Sequence, residues 1–313
     1  MEFFSQPMRI NTKICVPLPL ERCPFLLRKR HRSATHNELN CNVMENIIVG
    51  FDFSSGSANA VDLSIDIANR LQRDIRLVYV KVKDEKEAVL REEIERRIAA
   101  VSPLLKGIKM ELTIRSGKVA LELAAQARED KASLIIVGTN GTSGFRKNWI
   151  GKNTYSTVTE SEVPVLSLRE GFNFSKELER IVLPIDSTAV TRQKVPVAMR
   201  FAQIFNSEIH VLGIYTSKTK DIRKLVDNYC NQVEKMLSKA NIPCVVKMLS
   251  AAKDPTTSTL LYADQVNADL IVIMTEQEKA FTDWLLGSHA EQMLNRSTRP
   301  ILSLRPEHIS ESR

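Results

Sequence analysis

The stretch SLIIVGTNGTSGFRKNWIGK, residues 133–152, decides the fold. Its first part, SLIIV, is a continuous apolar run of the kind that forms a strand buried on both faces of a parallel sheet. A glycine-rich loop follows at once, with Gly138, Gly141 and Gly151 as its spaced glycines. The residues after Gly151 read as the start of a helix. A strand, a glycine loop and a helix in that order put the loop at the carboxyl end of a strand, where open α/β sheets bind ligands. Glycines there let backbone N–H groups approach a phosphate closely, and a helix N-terminus favours an anion. The alternative is a turn that needs glycine for its own geometry.

Working outward, the strand recurs. ASLIIVGT (132–139) pairs with ADLIVIMT (268–275), VPVLSLR (163–169) with RPILSLR (299–305), and NIIVGFD ending at Asp52 with RIVLPID ending at Asp186. Gly151 pairs with Gly287 at the same spacing. The chain is therefore a tandem duplication of a unit of about 130 residues. Within the first unit, apolar runs at 46–51, 75–82, 108–114, 133–137 and 163–169 read as five strands. Between them lie stripes at helical spacing: Ala58, Val61, Ile65, Ala68 and Leu71; then Leu90, Ile94, Ile98 and Val101; then Ala120, Leu123, Ala124 and Ala127. Ser54, Ser55 and Ser57 suit the cap of the first helix. Asp254 and Pro255 suit the start of the corresponding third helix in the second unit.

Such alternation predicts an α/β fold of two tandem doubly wound domains, with parallel strands, right-handed crossovers and helices on both faces. The expected boundaries are an extension at 1–43, a first domain at 44–170, a linker at 171–179, a second domain at 180–306 and a tail at 307–313. The extension shows neither a helical nor a strand period, and prolines interrupt it at positions 7, 17, 19 and 24. It reads as unstructured, and Met44, just ahead of the first strand, reads as the start of the cellular protein.

Composition excludes several classes. The chain has 313 residues, 43% hydrophobic and 26% charged, as in ordinary soluble proteins. It has no apolar run of about 18 residues, so no membrane span is expected. Of the net charge of +7, residues 1–43 carry +4, so the remainder carries only +3 and a nucleic-acid partner is not expected. Cys15, Cys23, Cys41, Cys230 and Cys244 form no CxxC pair and no cluster with histidine at metal-ligand spacing. Neither a zinc site nor a disulfide framework is indicated, which fits a reducing cytoplasm. Cys230 and Cys244 are expected to be buried, and the isolated His210 and His289 to be structural or solvated.

Two familiar phosphate motifs fail. GxGxxG is absent because the glycines fall at 138, 141 and 144, and the P-loop is absent because Asn153 follows Gly151-Lys152. A third pattern fits. Gly138-x2-Gly141-x9-Gly151 resembles the nucleotide loop of universal stress proteins, G-x2-G-x9-G-[S/T]. VGFDFSSGSANA (49–60) resembles that family's first strand and turn, with Asp52 at the expected aspartate, and VPVLSLR resembles its closing strand. The resemblance covers 44–169 and 180–305.

It implies a five-stranded parallel sheet of order 3-2-1-4-5 in each unit. In the family's ATP-binding branch it implies that Asp52 contacts the nucleoside and Val80 borders adenine. Gly138, Gly141, Gly151, Lys152 and Asn153 would line the ribose and phosphates, with Mg2+ able to accompany the nucleotide. It implies an intramolecular pseudo-dimer of the two units through their fifth strands, whose apolar edge would otherwise be exposed, and leaves a homodimer open. Lys152 stands where the family has Ser or Thr, so the backbone N–H survives and the hydroxyl does not. Its charge either pairs with phosphate or its chain blocks the site. In the second half Met274 and Gln277 replace the first two glycines, and TEQEKAFTD adds acids.

ATP is therefore expected in the first half and not in the second, in a cytoplasmic stress-response regulatory protein and not a dedicated enzyme. No catalytic residue is expected. Asp52 and Asp186 each lack a base or metal partner, so a ligand contact or a strand-end cap is the simpler role. Arg146 and Lys147 in FRKNW (145–149) guide phosphate or decorate a loop tip. The competing expectation is a nucleotide-independent interaction scaffold, with a weak ATPase third.

Overall fold

The computed structural model describes residues 46–81, 85–139, 151–169, 178–250, 254–275, 277–279 and 284–306. Expectations for residues 1–43, Met44, Gly141, 145–149, 171–177 of the linker and the 307–313 tail lie outside the described residues.

In the first half the strands are β1 (Asn46–Phe51), β2 (Asp74–Lys81), β3 (Met110–Ser116), β4 (Leu134–Gly138) and β5 (Val165–Leu168). The helices between them are α1 (Ser55–Leu71), α2 (Glu87–Val101), α3 (Val119–Glu129) and α4 (Lys152–Glu160). The second half repeats the order with β6 (Arg180–Ile185), α5 (Val195–Phe205), β7 (Glu208–Tyr215), α6 (Lys220–Lys239), β8 (Cys244–Ser250), α7 (Pro255–Gln265) and β9 (Leu270–Met274). A hairpin of β10 (Gln277–Lys279) and β11 (Trp284–Leu286) then precedes α8 (Ser288–Arg296) and β12 (Ile301–Leu304).

The strands are continuous apolar runs because both their faces are covered. Ile47, Ile48 and Val49 of β1 are all fully buried. Odd and even positions feed two different cores. Ile47 and Val49 pack with α1, α2, α5 and α6 on one face. Ile48 and Val78 pack with α3, α4, α7 and α8 on the other. Each core runs through both halves. The charged face of α2 lies in solvent as expected, laced by pairs such as Arg91–Glu95 and Arg97–Glu93.

Within each half the strand order is the expected 3-2-1-4-5, with parallel neighbours. The expected five-stranded sheet of each unit is not a separate sheet, because the two fifth strands pair, as the apolar edge strand led us to expect. The halves form one ten-stranded sheet of order β3-β2-β1-β4-β5-β12-β9-β6-β7-β8. The junction is the antiparallel pair β5–β12, in register Leu166↔Leu302. Its physical cause is that both strands are buried at every position. Left apart, each would present unpaired backbone groups on an apolar edge, and pairing them satisfies both. Arg169 strengthens the junction by reaching across to donate to Leu294 O (2.9 Å) and Asn295 O at the end of α8. On the other face Arg70 of α1 donates to Ile204 O of α5 (3.2 Å) and lies over the Phe205 ring.

Two local features of the second half depart from the first. The β10–β11 hairpin stands where the first half has its glycine-rich segment. And α5 begins only at Val195, after a 3-10 turn over Ala189–Arg192, whereas α1 begins at Ser55.

Candidate functional site

In the first half the site is built where the strand order reverses, between the carboxyl ends of β1 and β4. The chain leaves β1 at Asp52 and must turn at once into α1. Asp52 Oδ1 accepts from Ser54 N (3.1 Å) and Ser54 Oγ (2.5 Å). Ser54 Oγ accepts from Ser57 N (3.1 Å) as the N-cap of α1, and Ser57 Oγ accepts from Asp52 N (3.3 Å). This closed ring gives Asp52 a strand-end role, with the side chain exposed at the rim. Phe53 takes a left-handed φ of 63° within the turn and packs edge-on against Phe51 and Tyr79. Burial, assisted by a hydrogen bond to Glu85, pushes the Tyr79 hydroxyl up to about 12.

On the β4 side, Gly138 ends the strand. A Cβ there would lie 2.4 Å from the carbonyl carbon of Gly56 and 2.8 Å from Ser57 N. The glycine is thus required by the first turn of α1, which packs directly on it. Gly151 N–H donates to Thr139 O (2.9 Å), and Thr154 Oγ1 donates to Gly138 O (2.9 Å), which fixes α4 against β4. Gly151 is the N-cap of α4 and provides no side-chain cap. Among the described residues, no side chain caps its first-turn N–H groups. Lys152 and Asn153 of that turn are exposed.

Asp52, Val80, Gly138 and Asn153 line one cavity of about 80 Å³, with Val119 and Leu123 of α3 as further walls. Gly151 and Lys152 sit at the same helix start without lining the cavity, and Gly141 lies outside the described residues.

The second half repeats the turn in threonine. Asp186 Oδ1 accepts from Thr188 N (2.8 Å) and Thr188 Oγ1 (2.6 Å), and Asp186 N donates to Thr191 Oγ1 (3.2 Å). Aspartate with hydroxyl residues two and five positions later is a signal present in both halves that sequence reasoning passed over. Ile214 takes the place of Val80, and Met274 that of Gly138, in a cavity of about 320 Å³. Its wall includes Lys194, which sequence reasoning also missed.

The remaining candidates are structural. Cys230 and Cys244 are buried thiols, and burial pushes Cys230 up to about 12. His210 is buried with Nδ1 3.0 Å from Tyr262 Oη. Its Nε2 lies 2.9 Å from a Glu208 carboxylate oxygen, without the angle of a hydrogen bond. Among the described residues, no group of His, Cys, Asp and Glu could hold a metal ion, and no helix is long and apolar enough to cross a membrane.

Known proteins match this arrangement. The model of the universal stress protein family matches residues 44–169 and again 177–305. The universal stress protein YxiE of Bacillus subtilis is 26% identical over 148 residues, 39% of this chain and 97% of the relative. A universal stress protein of Methanocaldococcus jannaschii is 24% identical over 143 residues, 41% of this chain and 84% of the relative. Among solved structures, the fold is similar to that of a universal stress protein from Archaeoglobus fulgidus. The TM-score is 0.69 and the identity 18%, with 84% of this chain and 99% of that one covered. With a family match in each half, on a sheet of the expected order, the chain belongs to the universal stress protein family.

Proposed function

We propose that the protein is a nucleotide-linked regulatory protein of the stress response that binds ATP in its first half and not in its second. The observation that carries this reading is the convergence of Asp52, Val80, Gly138 and Asn153 on one cleft beside the uncapped start of α4. Adenine would lie against Val80, and the Asp52 carboxylate at the rim suits ribose hydroxyls. Gly141, Gly151, Lys152 and Asn153 would meet the phosphates, where a helix N-terminus favours negative charge. Mg2+ would travel with the phosphates, held by their oxygens. In the second half Met274 carries a side chain where Gly138 has none, and the sequence TEQEKAFTD adds acids that disfavour a polyanion. Among the described residues of the first-half rim, Asp52 has no base or metal partner, and we read the site as one for sensing.

A second reading, a nucleotide-independent scaffold, is favoured by one observation. The first-half cavity of about 80 Å³ is well below the roughly 300–1,000 Å³ of small-molecule sites. Calorimetric titration of the full chain with ATP and magnesium, after removal of carried-over nucleotide, separates the two. One site per chain, lost in Gly141→Trp, is the expected result. Two sites would overturn the silence of the second half, and none would favour the scaffold.

A further inference from the structure

The duplication supplies an internal comparison. In the second half, α6 sinks four fully buried side chains, Val226, Cys230, Val233 and Leu237, into the core it shares with α5. The equivalent helix of the first half, α2, has 15 residues against 20, and among its described residues it buries only Ile94. A cavity of about 220 Å³ opens between α1 and α2 on that face of the sheet. Ala58 of α1 and Ala100 of α2, both exposed, leave its mouth open. Protein interiors are close-packed, and the filled half shows that this pair of helices can close such a space.

Phe51, Val61, Leu77, Ile98, Val101 and Met110 give the cavity an apolar lining, and two charged residues, Asp62 and Arg97, stand at its rim. Arg97 is already matched. Its Nε donates to Glu93 Oε1 (3.2 Å), and its guanidinium lies 5.0 Å from the centre of the Phe53 ring. Asp62 has neither a hydrogen bond nor an ion pair among the described residues, and its apolar surroundings raise its pKa from the ordinary 3.8. Asp66, one turn further along α1, is by contrast paired with Arg70 at 3.0 Å. The left-handed C-caps Gln72 and Asn206 align α1 with α5 and put Pro196 at the position of Asp62. The carboxylate therefore occurs in the half with the cavity, and the filled half has no charge there. One unmatched negative charge beside an apolar hollow favours a cation with an apolar body. The volume, below the roughly 300 Å³ of larger small-molecule sites, keeps that body compact.

We propose that the α1–α2 cavity binds a small organic amine in its protonated form, with a compact apolar group in the hollow and the ammonium at Asp62. The inference is independent of whether the first half holds ATP. The cavity belongs to the core under α1 and α2, whereas Val119 and Leu123 of the first-half cleft belong to α3 on the other face. Three probes of one size test it on the full chain: phenethylamine, the neutral phenethyl alcohol and the anion phenylacetate. Binding is followed by nuclear magnetic resonance of labelled methionine methyls, since Met110 lines the cavity and Met274 lies in the second half.

Phenethylamine shifts the Met110 methyl saturably, with the millimolar affinity expected of so small a body, and leaves Met274 unmoved. It binds about fivefold more tightly than the alcohol, the upper range for an ion pair that solvent reaches. Phenylacetate binds no better than the alcohol. Asp62→Asn brings the amine down to the alcohol and leaves the alcohol within about twofold. Asp66→Asn keeps the preference for the amine. Both positions are exposed, so both variants fold. No saturable shift at Met110, an equal shift at Met274, equal affinity for amine and alcohol, tighter binding of phenylacetate, a preference that survives Asp62→Asn, or its equal loss in Asp66→Asn would each overturn the proposal.

Discussion

Replacing Gly138 with alanine distinguishes a glycine kept for a ligand from one kept for packing. The backbone at 138 is not among the positive-φ glycines, so alanine can adopt it. On that ground alone the change would stabilise by roughly 0.4–1 kcal/mol, through a less disordered unfolded chain. The new Cβ would, however, lie 2.4 Å from Gly56 C and 2.7 Å from Gly56 O. Carbon atoms prefer about 3.5–4 Å, so the start of α1 must move by roughly 1 Å or more. The obstacle is backbone, and no rotamer change relieves it. Overpacking of this kind costs about 1–3 kcal/mol. The shift also strains the Asp52–Ser54–Ser57 ring, whose cap contributes about 1 kcal/mol. The net expectation is a loss of about 2 kcal/mol, or a fall in Tm of about 4–8 °C for a domain of this size class. Urea denaturation followed by far-ultraviolet circular dichroism measures it, with an ATP titration run in parallel. Unchanged or raised stability together with lost ATP binding would refute the packing argument and return Gly138 to the ligand.

Arg169→Ala removes the guanidinium that holds the last carbonyls of α8 from the opposite half. A loss of about 2 kcal/mol is expected in urea denaturation, as for other hydrogen bonds from charged groups. Ser54→Ala deletes the cap of α1 and should cost about 1 kcal/mol. A thermal melt of that variant matching the parent would show that Ser57 and Asp52 close the turn without it. Burial lowers the His210 pKa from its ordinary 6.5 by more than the Glu208 carboxylate raises it, with Arg180 also lowering it. The folded protein therefore keeps His210 neutral while the unfolded chain takes up a proton. The stability it contributes is complete above about pH 6.5 and declines as pH falls below that value. A His210→Gln variant should flatten this part of the stability profile. A parent that instead gained stability on acidification relative to the variant would mean that Glu208 dominates.

Much of the fold was legible because both faces of the sheet are covered. LIIV and LIVI admit no other place than the middle of such a sheet, and the stripes of α1 and α3 follow from one buried side per helix. The duplication was legible because the strand ends repeat almost letter for letter. Three things were not legible from these local signals. The apolar fifth strands marked the seam, but its antiparallel register depends on how the two edges meet, which the composition of a strand does not show. The late start of α5 follows a 3-10 turn over Ala189–Arg192, which interrupts what the repeat leads one to expect where α1 starts. The β10–β11 hairpin has only three residues per strand, too few for a period of two to register. At the site, the cap of α1 was readable from its serines, while the bonds that tie them to Asp52 were passed over. Gly138 read as a phosphate glycine because its neighbour in space, Gly56, is distant along the chain.

The antiparallel β5–β12 ladder has a consequence for how such a chain can change over time. Two separate copies joined through that strand would be encoded once, and every substitution would appear in both clefts. Here both strands of the ladder belong to one chain, so the partner is always present at a high effective concentration, whatever happens elsewhere in either half. Mutation can then act on one cleft while the other is held. Gly138 facing Gly56 on one side, and Met274 in the half where α5 starts only at Val195 on the other, are two descendants of one ancestral position that a symmetric pair would have had to keep identical.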